Sequence, residues 1–252
     1  MQSPYDDILT YRESALPGFG GRQVEALNAL SRILRENSFE ELWDLGCGSG
    51  ELLAGLAVRN RERRFIGIDN SRDSLKVARL RAKELLNLTY RFGSLSAVSP
   101  TRNDAVICTG NTAVHFGAHR IQQWLRQRGT HGKLPRWIFL DFHHELDFLV
   151  NSPDTFRVEA CGVDDDVSLS LSGLNTVRSG RFIVRQLVLV RCNLMNISGA
   201  NARVTSVRQY ADPVCAYDQV LMEAGFSLAE RLDYVHGYGQ MEGRLWTRRN
   251  DL

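Results

Sequence analysis

Hydrophobic residues recur with a helical period at Val24, Leu27, Leu30, Ile33 and Leu34, behind a glycine-rich break at Gly18, Gly20 and Gly21, and predict an amphipathic helix. A short apolar run from Leu42 to Leu45 reads as a strand that feeds directly into Gly46-Cys47-Gly48-Ser49-Gly50, with a new helix from about Glu51. Arg64 to Ile68 reads as a second strand ending at Asp69, and the spacing of Leu75, Ala78, Ala82 and Leu85 predicts a helix over 71–86 with Ser71 as its N-cap. Leu88 to Phe92, Asp104 to Cys108 and Trp137 to Leu140 complete a series of five strands. Strands alternating with helices predict an α/β chain with a parallel sheet covered on both faces.

The pattern changes beyond the fifth strand. From about Thr155 to Tyr210 the apolar residues alternate with polar ones, as in 167–172, 181–190 and 203–208, with turn signals at Ser179-Gly180 and Ser198-Gly199. This predicts an antiparallel β insertion of three or four strands. A helix from Pro213 to Ala224 then restores the earlier rhythm. Gly225 ends it, and strands follow at Phe226 to Tyr234 and Gly243 to Arg248, which suit an antiparallel edge hairpin.

Composition narrows the function classes. The chain has 252 residues, 43% hydrophobic and 24% charged, with a net charge of +2. That balance gives no electrostatic argument for nucleic acid or an anionic membrane. No apolar run reaches the roughly 18 residues of a membrane span, and the first residues lack a signal-peptide pattern, so a cytoplasmic protein is expected. Arginines number 28 against 3 lysines and are dispersed; Arg59, Arg61, Arg63 and Arg64 form a cluster between a helix and a strand, where solvated charges are usual. Cys47, Cys108, Cys161, Cys192 and Cys215 are odd in number and form no Cys-x-x-Cys pair, which argues against disulfides and zinc.

The chemistry concentrates at Asp44-Leu45-Gly46-Cys47-Gly48-Ser49-Gly50. Glycines at a strand-to-helix turn let a ligand approach the main chain, and Asp69, 19 residues after Gly50, stands where a carboxylate can accept bonds from ribose hydroxyls. Two readings follow, a dinucleotide site or an S-adenosylmethionine site. Three details favour the second. Position 51 is glutamate, so the third glycine of Gly-x-Gly-x-x-Gly is missing. Asp44 would repel a pyrophosphate but suits an amino group. The chain also closes on a hairpin after its last helix.

On these residues the sequence resembles the class I S-adenosylmethionine-dependent methyltransferases over essentially its whole length. Leu42 to Gly50 is similar to the family's first motif and Gly67-Ile68-Asp69-Asn70-Ser71 to its second. Asp104 to Phe116 is similar to the fourth-strand motif of the branch typified by glycine N-methyltransferase and the amino-sugar N-methyltransferases, which also carries a small antiparallel sheet before its last helix. The resemblance implies a Rossmann-like, seven-stranded, mostly parallel sheet with a C-terminal antiparallel hairpin and an inserted antiparallel sheet. It divides a single methyltransferase domain, 1–252, into a helical lid (1–36), a core (37–147 and 211–252) and a substrate-covering insertion (148–210).

The resemblance also implies roles. Gly46, Cys47, Gly48 and Gly50 would line the methionyl part of the cofactor, with Asp44 near its amino group and Arg22, 22 residues upstream, pairing its carboxylate. Asp69 and Asn70 would hold the ribose. Thr109, Gly110 and Asn111 would lie beside the sulfonium, and Tyr5 and Tyr11 match N-terminal tyrosines that fold over the site. Two departures stand out. Ser94-Leu95 replaces the acid that receives the adenine amino group in many members, and no arginine occurs in Asp141 to Asp147, so glycine is not expected as acceptor.

His143 and His144, after the fifth strand, are candidate general bases for a hydroxyl acceptor, alongside Asn111 as a catalytic group. His115 and Tyr210 are candidates for the acceptor pocket. His115 and His119 share a helical i, i+4 spacing without a third ligand, so no metal is expected, and Asp164-Asp165-Asp166 reads as an exposed turn. The expected activity is methyl transfer to nitrogen or oxygen of a small metabolite, with natural product biosynthesis as the setting the branch implies, no membrane partner and a possible homodimer. RNA methylation is the rival enzyme reading, weakened because strand four ends in Thr109-Gly110-Asn111-Thr112 rather than Asn/Asp-Pro-Pro-aromatic, and because no cysteine follows strands four or five. A catalytically silent S-adenosylmethionine-binding subunit is the non-enzymatic alternative.

Overall fold

The computed structural model describes residues 19–144, 146, 155–164, 168–193, 196–236 and 239–249. Helix α1 (Phe19–Glu36) leads into β1 (Glu41–Leu45), α2 (Glu51–Arg59), β2 (Arg64–Asp69), α3 (Arg72–Arg81), β3 (Leu88–Phe92), β4 (Ala105–Cys108), α4 (Ala118–Gly129) and β5 (Trp137–His143). Strands β6 (Thr155–Asp164), β7 (Ser168–Ser179), β8 (Phe182–Asn193) and β9 (Asn196–Tyr210) follow, then α5 (Val214–Glu223), β10 (Phe226–His236) and β11 (Gly239–Arg248).

Seven strands form one sheet in the order β10-β11-β5-β4-β1-β2-β3. Strands β1 to β5 pair in parallel, while β11 runs antiparallel to both β5 and β10. The order reverses at β1, whose neighbours are β2 on one side and β4 on the other, and in open α/β sheets ligands bind at the carboxyl ends of strands beside such a switch.

Period-two alternation divides the core. Trp43, Leu45, Ile68, Val106, Ile138 and Leu140 pack on one face against Ile121 and Trp124 of α4 and Tyr217 and Leu221 of α5. Leu42, Phe65, Ala105, Ile107, Trp137 and Phe139 pack on the other against Leu30, Ile33 and Leu34 of α1 and Leu53 and Leu56 of α2. Each such aliphatic side chain contributes roughly 1.5 to 3 kcal/mol on burial. Ser71 caps α3 as expected, its hydroxyl accepting from the Ser74 amide at 3.0 Å.

Several expectations are corrected. The glycines at 20 and 21 do not break the first helix, which already runs from Phe19. The third helix ends at Arg81, although Leu85 still packs on the core through a following turn. His115 lies in a 3-10 turn and His119 in α4, with Gly117 at φ 74° between them, so the two histidines do not share a helix face. Strand β5 extends through His143 because it pairs with β11 as far as Met241, so His143 belongs to the strand. Ser198-Gly199 lies within β9, where cross-strand pairing with β8 outweighs the local turn signal. The insertion has four antiparallel strands in the order β6-β7-β8-β9. It meets the rest of the chain through Ile183, which joins the buried cluster of α4 and α5, and through Tyr210, which lies over Gly117.

Candidate functional site

The turn after β1 is built around left-handed glycines. Gly46, Gly48 and Gly50 have φ of 78°, 55° and 73°, a region that costs other L-residues about 1 to 2 kcal/mol. A side chain at Gly46 would also lie 2.3 Å from Thr112 Cγ2, and one at Gly50 2.2 Å from the Tyr90 hydroxyl. The amides of Gly46 and Cys47 both donate to Ile68 O, at 2.7 and 3.1 Å, which fixes the turn to the end of β2. The first turn of α2 faces the same place.

Three carboxylates surround this turn at the ends of β1, β2 and β5. Asp69 accepts from the Gly48 amide through Oδ2 and from the Ser71 amide through Oδ1, both at 2.8 Å. Asp141, fully buried, accepts from the Gly110 and Asn111 amides at 2.9 and 2.8 Å and from the Tyr234 hydroxyl. Burial pushes its pKa up to about 6, against the lowering effect of those three donors. Asp44 is also buried, and its Oδ1 has no hydrogen-bond partner. Burial, then the charges of Asp69 and Asp141, push its pKa up to about 8.

Asp141 therefore shapes the β4 loop. Its two bonds to main-chain amides hold Gly110 at φ 69° and Asn111 at φ 60°, a left-handed conformation for a non-glycine residue. Asn111 is buried, and its Oδ1 accepts from the His143 amide at 3.2 Å. The side chain thus locks the loop to β5. Thr112 closes the loop by donating its hydroxyl to Thr109 O at 2.6 Å.

Two cavities flank the glycine turn. The larger, about 470 Å³, is bounded by Gly46, Gly48, Asp69, Asn70, Ser94 and Leu95, and on the α4 side by His115, Phe116, Arg120, Gln123, Trp124 and Gln127. The smaller, about 50 Å³, lies across Gly46 and Thr112 and is bounded by Gln23, Asp44, Cys47, Ser49, Thr109 and His236. Asp44 Oδ1 and Gln23 Oε1, both buried acceptors without donors, border that second space. Such acceptors suit a positively charged donor group.

Most of the residues singled out in sequence converge here. Arg22 lies on α1 beside Gln23, with its side chain outside the described part. Tyr5 and Tyr11 lie outside the described residues, as do Asp165 and Asp166. His143 and His144 do not border either cavity. His144 is exposed and its Nε2 lies 3.0 Å from Asp233 Oδ1, an ion pair when the ring is protonated. His115 does border the larger cavity, with Nδ1 3.2 Å from Arg208 O. Tyr210 borders neither cavity; its ring covers Gly117 and contacts His119 and Phe182 at centroid distances of 4.9 and 4.8 Å.

The arrangement is matched by comparison. Residues 43–131, from β1 past α4, match a family model described as a methyltransferase domain. Over that stretch the chain is similar to the methyltransferase domain. The architecture around it is similar to solved structures of an amino pentose methyltransferase, CalS10, from Micromonospora echinaspora (16% identity, 97% of each chain, TM-score 0.65) and of the sugar N-methyltransferase KedS8 from Streptoalloteichus (16% identity, 99% of this chain and 94% of that one, TM-score 0.65). DesVI from Streptomyces venezuelae is alike at 14% identity over 95% of each chain, with a TM-score of 0.66. At these identities the likeness shows the fold alone, a Rossmann-like, mostly parallel sheet. No curated protein sequence matches the chain.

Sequence reasoning missed part of this candidate site. Asp141 was visible as an acid at the end of an apolar strand, the same signal that identified Asp44 and Asp69. Its partner Tyr234 comes from β10, 93 residues away, and no local pattern links the two. Gln123 and Gln127 are four apart on α4, but a polar helix face reads as solvated until the cavity beside it is seen.

Proposed function

We propose that the chain is an S-adenosylmethionine-dependent methyltransferase acting on a small molecule, with nitrogen as the favoured acceptor atom. The observation that carries this reading is the buried, unpartnered Asp44 Oδ1 beside the left-handed glycine turn, with Asp69 at the tip of the neighbouring strand. The residues fit the cofactor. Asp44 and Gln23 would accept from its ammonium in the smaller space, the main chain at Gly46 and Gly48 would pass beside its methionyl part, and Asp69 would accept from the ribose hydroxyls. Gly93, Ser94 and Leu95, with Gln123 and Gln127 opposite, would border the adenine.

Bound S-adenosylmethionine supplies a methyl group on a sulfonium, which needs no further activation. What the protein contributes is alignment and exclusion of water, together worth up to roughly 7 to 11 kcal/mol where positioning is near ideal. The Asp141 clamp on Gly110 and Asn111 holds the loop between the two cavities in one conformation. His115, Phe116 and Arg120 form the part of the wall toward the insertion, where the acceptor would enter. An amine acceptor needs only to arrive deprotonated. A hydroxyl would need a base; His143 and His144 border neither cavity, His144 being engaged by Asp233, and His115, which does border the larger one, has Nδ1 against Arg208 O. The sugar N-methyltransferase among the similar structures supports the same preference.

The test is a panel of small amines, amino sugars included, and of matched hydroxyl compounds, assayed for S-adenosylhomocysteine formation. Turnover of an amine that survives His143→Ala and His144→Ala supports nitrogen transfer. Turnover confined to hydroxyl compounds and lost in either variant contradicts it.

A further inference from the structure

Helix α4 lays one of its faces along the larger cavity. Arg120, Gln123 and Gln127, at i, i+3 and i+7, all border it, so the wall runs from two neutral amides to a guanidinium in the first turn of the helix. Tyr210 of β9 marks the guanidinium end as the one toward the insertion. Its ring covers Gly117, and the Arg120 guanidinium carbon lies 5.8 Å from the ring centre, a cation-π distance that holds the arginine beside the cavity. Arg181 lies against the same ring at 5.2 Å, with Nη2 3.4 Å from His119 Nε2, and does not border the cavity.

The charge of that wall is one-sided. Among the described residues bordering the cavity, Arg120 is the one guanidinium or ammonium and Asp69 the one carboxylate, and Asp69 already accepts from the Gly48 and Ser71 amides. His115, on the same wall as Arg120, has Nδ1 3.2 Å from Arg208 O. The first turn of α4 carries no acid, so Arg120 sits at the positive end of its own helix dipole. Asp212 caps that end by accepting from the Ala118 amide at 2.9 Å and does not border the cavity. A fixed cation here also repels a sulfonium and a protonated amine, so it hinders both reactants unless the acceptor brings a negative charge of its own.

We propose that Arg120 selects the acceptor by pairing with an anionic oxygen group, a carboxylate or a phosphate, carried on the same molecule as the reacting amine. The planar fork of the guanidinium suits either group, and the Tyr210 ring orients it. The assignment rests on the methyl-transfer reading of this cavity.

The test is calorimetric titration into the full chain saturated with S-adenosylhomocysteine, at about 0.15 M salt so that diffuse attraction is screened. Glucosamine is compared with glucosamine 6-phosphate and with muramic acid, which add a phosphate or a carboxylate to the same amino sugar. At least one of the two anionic sugars should bind about tenfold or more tightly than glucosamine, as for one charge-assisted hydrogen-bonded pair. Preference for one of them alone identifies the anion as phosphate or carboxylate. Arg120→Gln should remove the preference and Arg120→Lys restore part of it. Arg126→Gln, which takes the same charge from an exposed position of α4 outside the cavity wall, should leave it intact. S-adenosylhomocysteine affinity should be alike in all these proteins. If the wild type fails to bind S-adenosylhomocysteine, the methyl-transfer reading falls and this assignment with it. In a chain that does bind it, equal affinity for the three sugars, no binding of either anionic sugar, or a preference that persists in Arg120→Gln overturns the role of Arg120 alone.

Discussion

Asp44 is the residue on which the cofactor assignment turns, because its buried Oδ1 has no hydrogen-bond partner in the ligand-free chain. Its folded pKa, near 8, lies above the ordinary carboxyl value of 3.8, so folding favours the protonated form. Stability from this group is therefore complete below about pH 4 and is lost as pH rises toward 8, with a slope of at most about 1.4 kcal/mol per unit. Asp141 adds the same sign up to about pH 6. Thermal unfolding of ligand-free protein at pH 5, 6.5 and 8 should show falling midpoints, and Asp44→Asn should flatten that fall. Ligand affinity should show the reverse dependence, rising between pH 6 and 7.5 as Asp44 ionises against the ligand ammonium, with proton release measurable by calorimetry in two buffers. A slope of the same sign for stability and affinity would contradict the pairing. The Asp141 clamp makes a separate claim: Tyr234→Phe removes one donor from a buried carboxylate and should cost about 1 to 3 kcal/mol in chemical denaturation.

At the scale of elements, the glycine turn was legible because each feature it needs is local. A strand end, three glycines at alternate positions and a helix start occur within one short stretch, and the left-handed φ values follow from that spacing. The same turn allows a controlled comparison. Gly46→Ala meets both a left-handed φ and Thr112 Cγ2, whereas Gly180→Ala, at φ 59° in the turn between β7 and β8, meets nothing within 4 Å. Gly180→Ala should cost only the conformational term of about 1 to 2 kcal/mol. Gly46→Ala should cost measurably more in the same denaturation experiment and abolish cofactor binding; equal costs would mean that Thr112 yields freely. What was not legible lies in long-range pairing. The length of β5 is set by β11, and the continuity of β9 through Ser198-Gly199 by β8. Periodicity reports which face a residue takes, and says little about where a neighbour holds a strand straight.

At the scale of the whole molecule, the β1 switch point brings Asp44 and Asp69 together from adjacent strands and Asp141 from β5, one strand beyond β4 and far away in sequence. The parallel sheet, the terminal hairpin and the antiparallel insertion were expected from strands, helices and a change of period, and the structure bears them out, while the order of the strands comes from the structure alone. In the proposed reading the acceptor would be chosen in the space between α4 and the insertion, where Tyr210 covers Gly117. Tyr210→Ala should loosen that junction and raise KM for the acceptor with little change in cofactor affinity, measured by steady-state kinetics and calorimetry on one preparation. The central claim is that the cavity beneath the glycine turn holds S-adenosylmethionine with Asp69 on its ribose. Calorimetric titration of S-adenosylhomocysteine into the wild-type chain and into Asp69→Ala tests it most directly. The account predicts saturable one-to-one binding to the wild type, weakened at least about tenfold in the variant; no binding to the wild type, or equal binding to both, would contradict it.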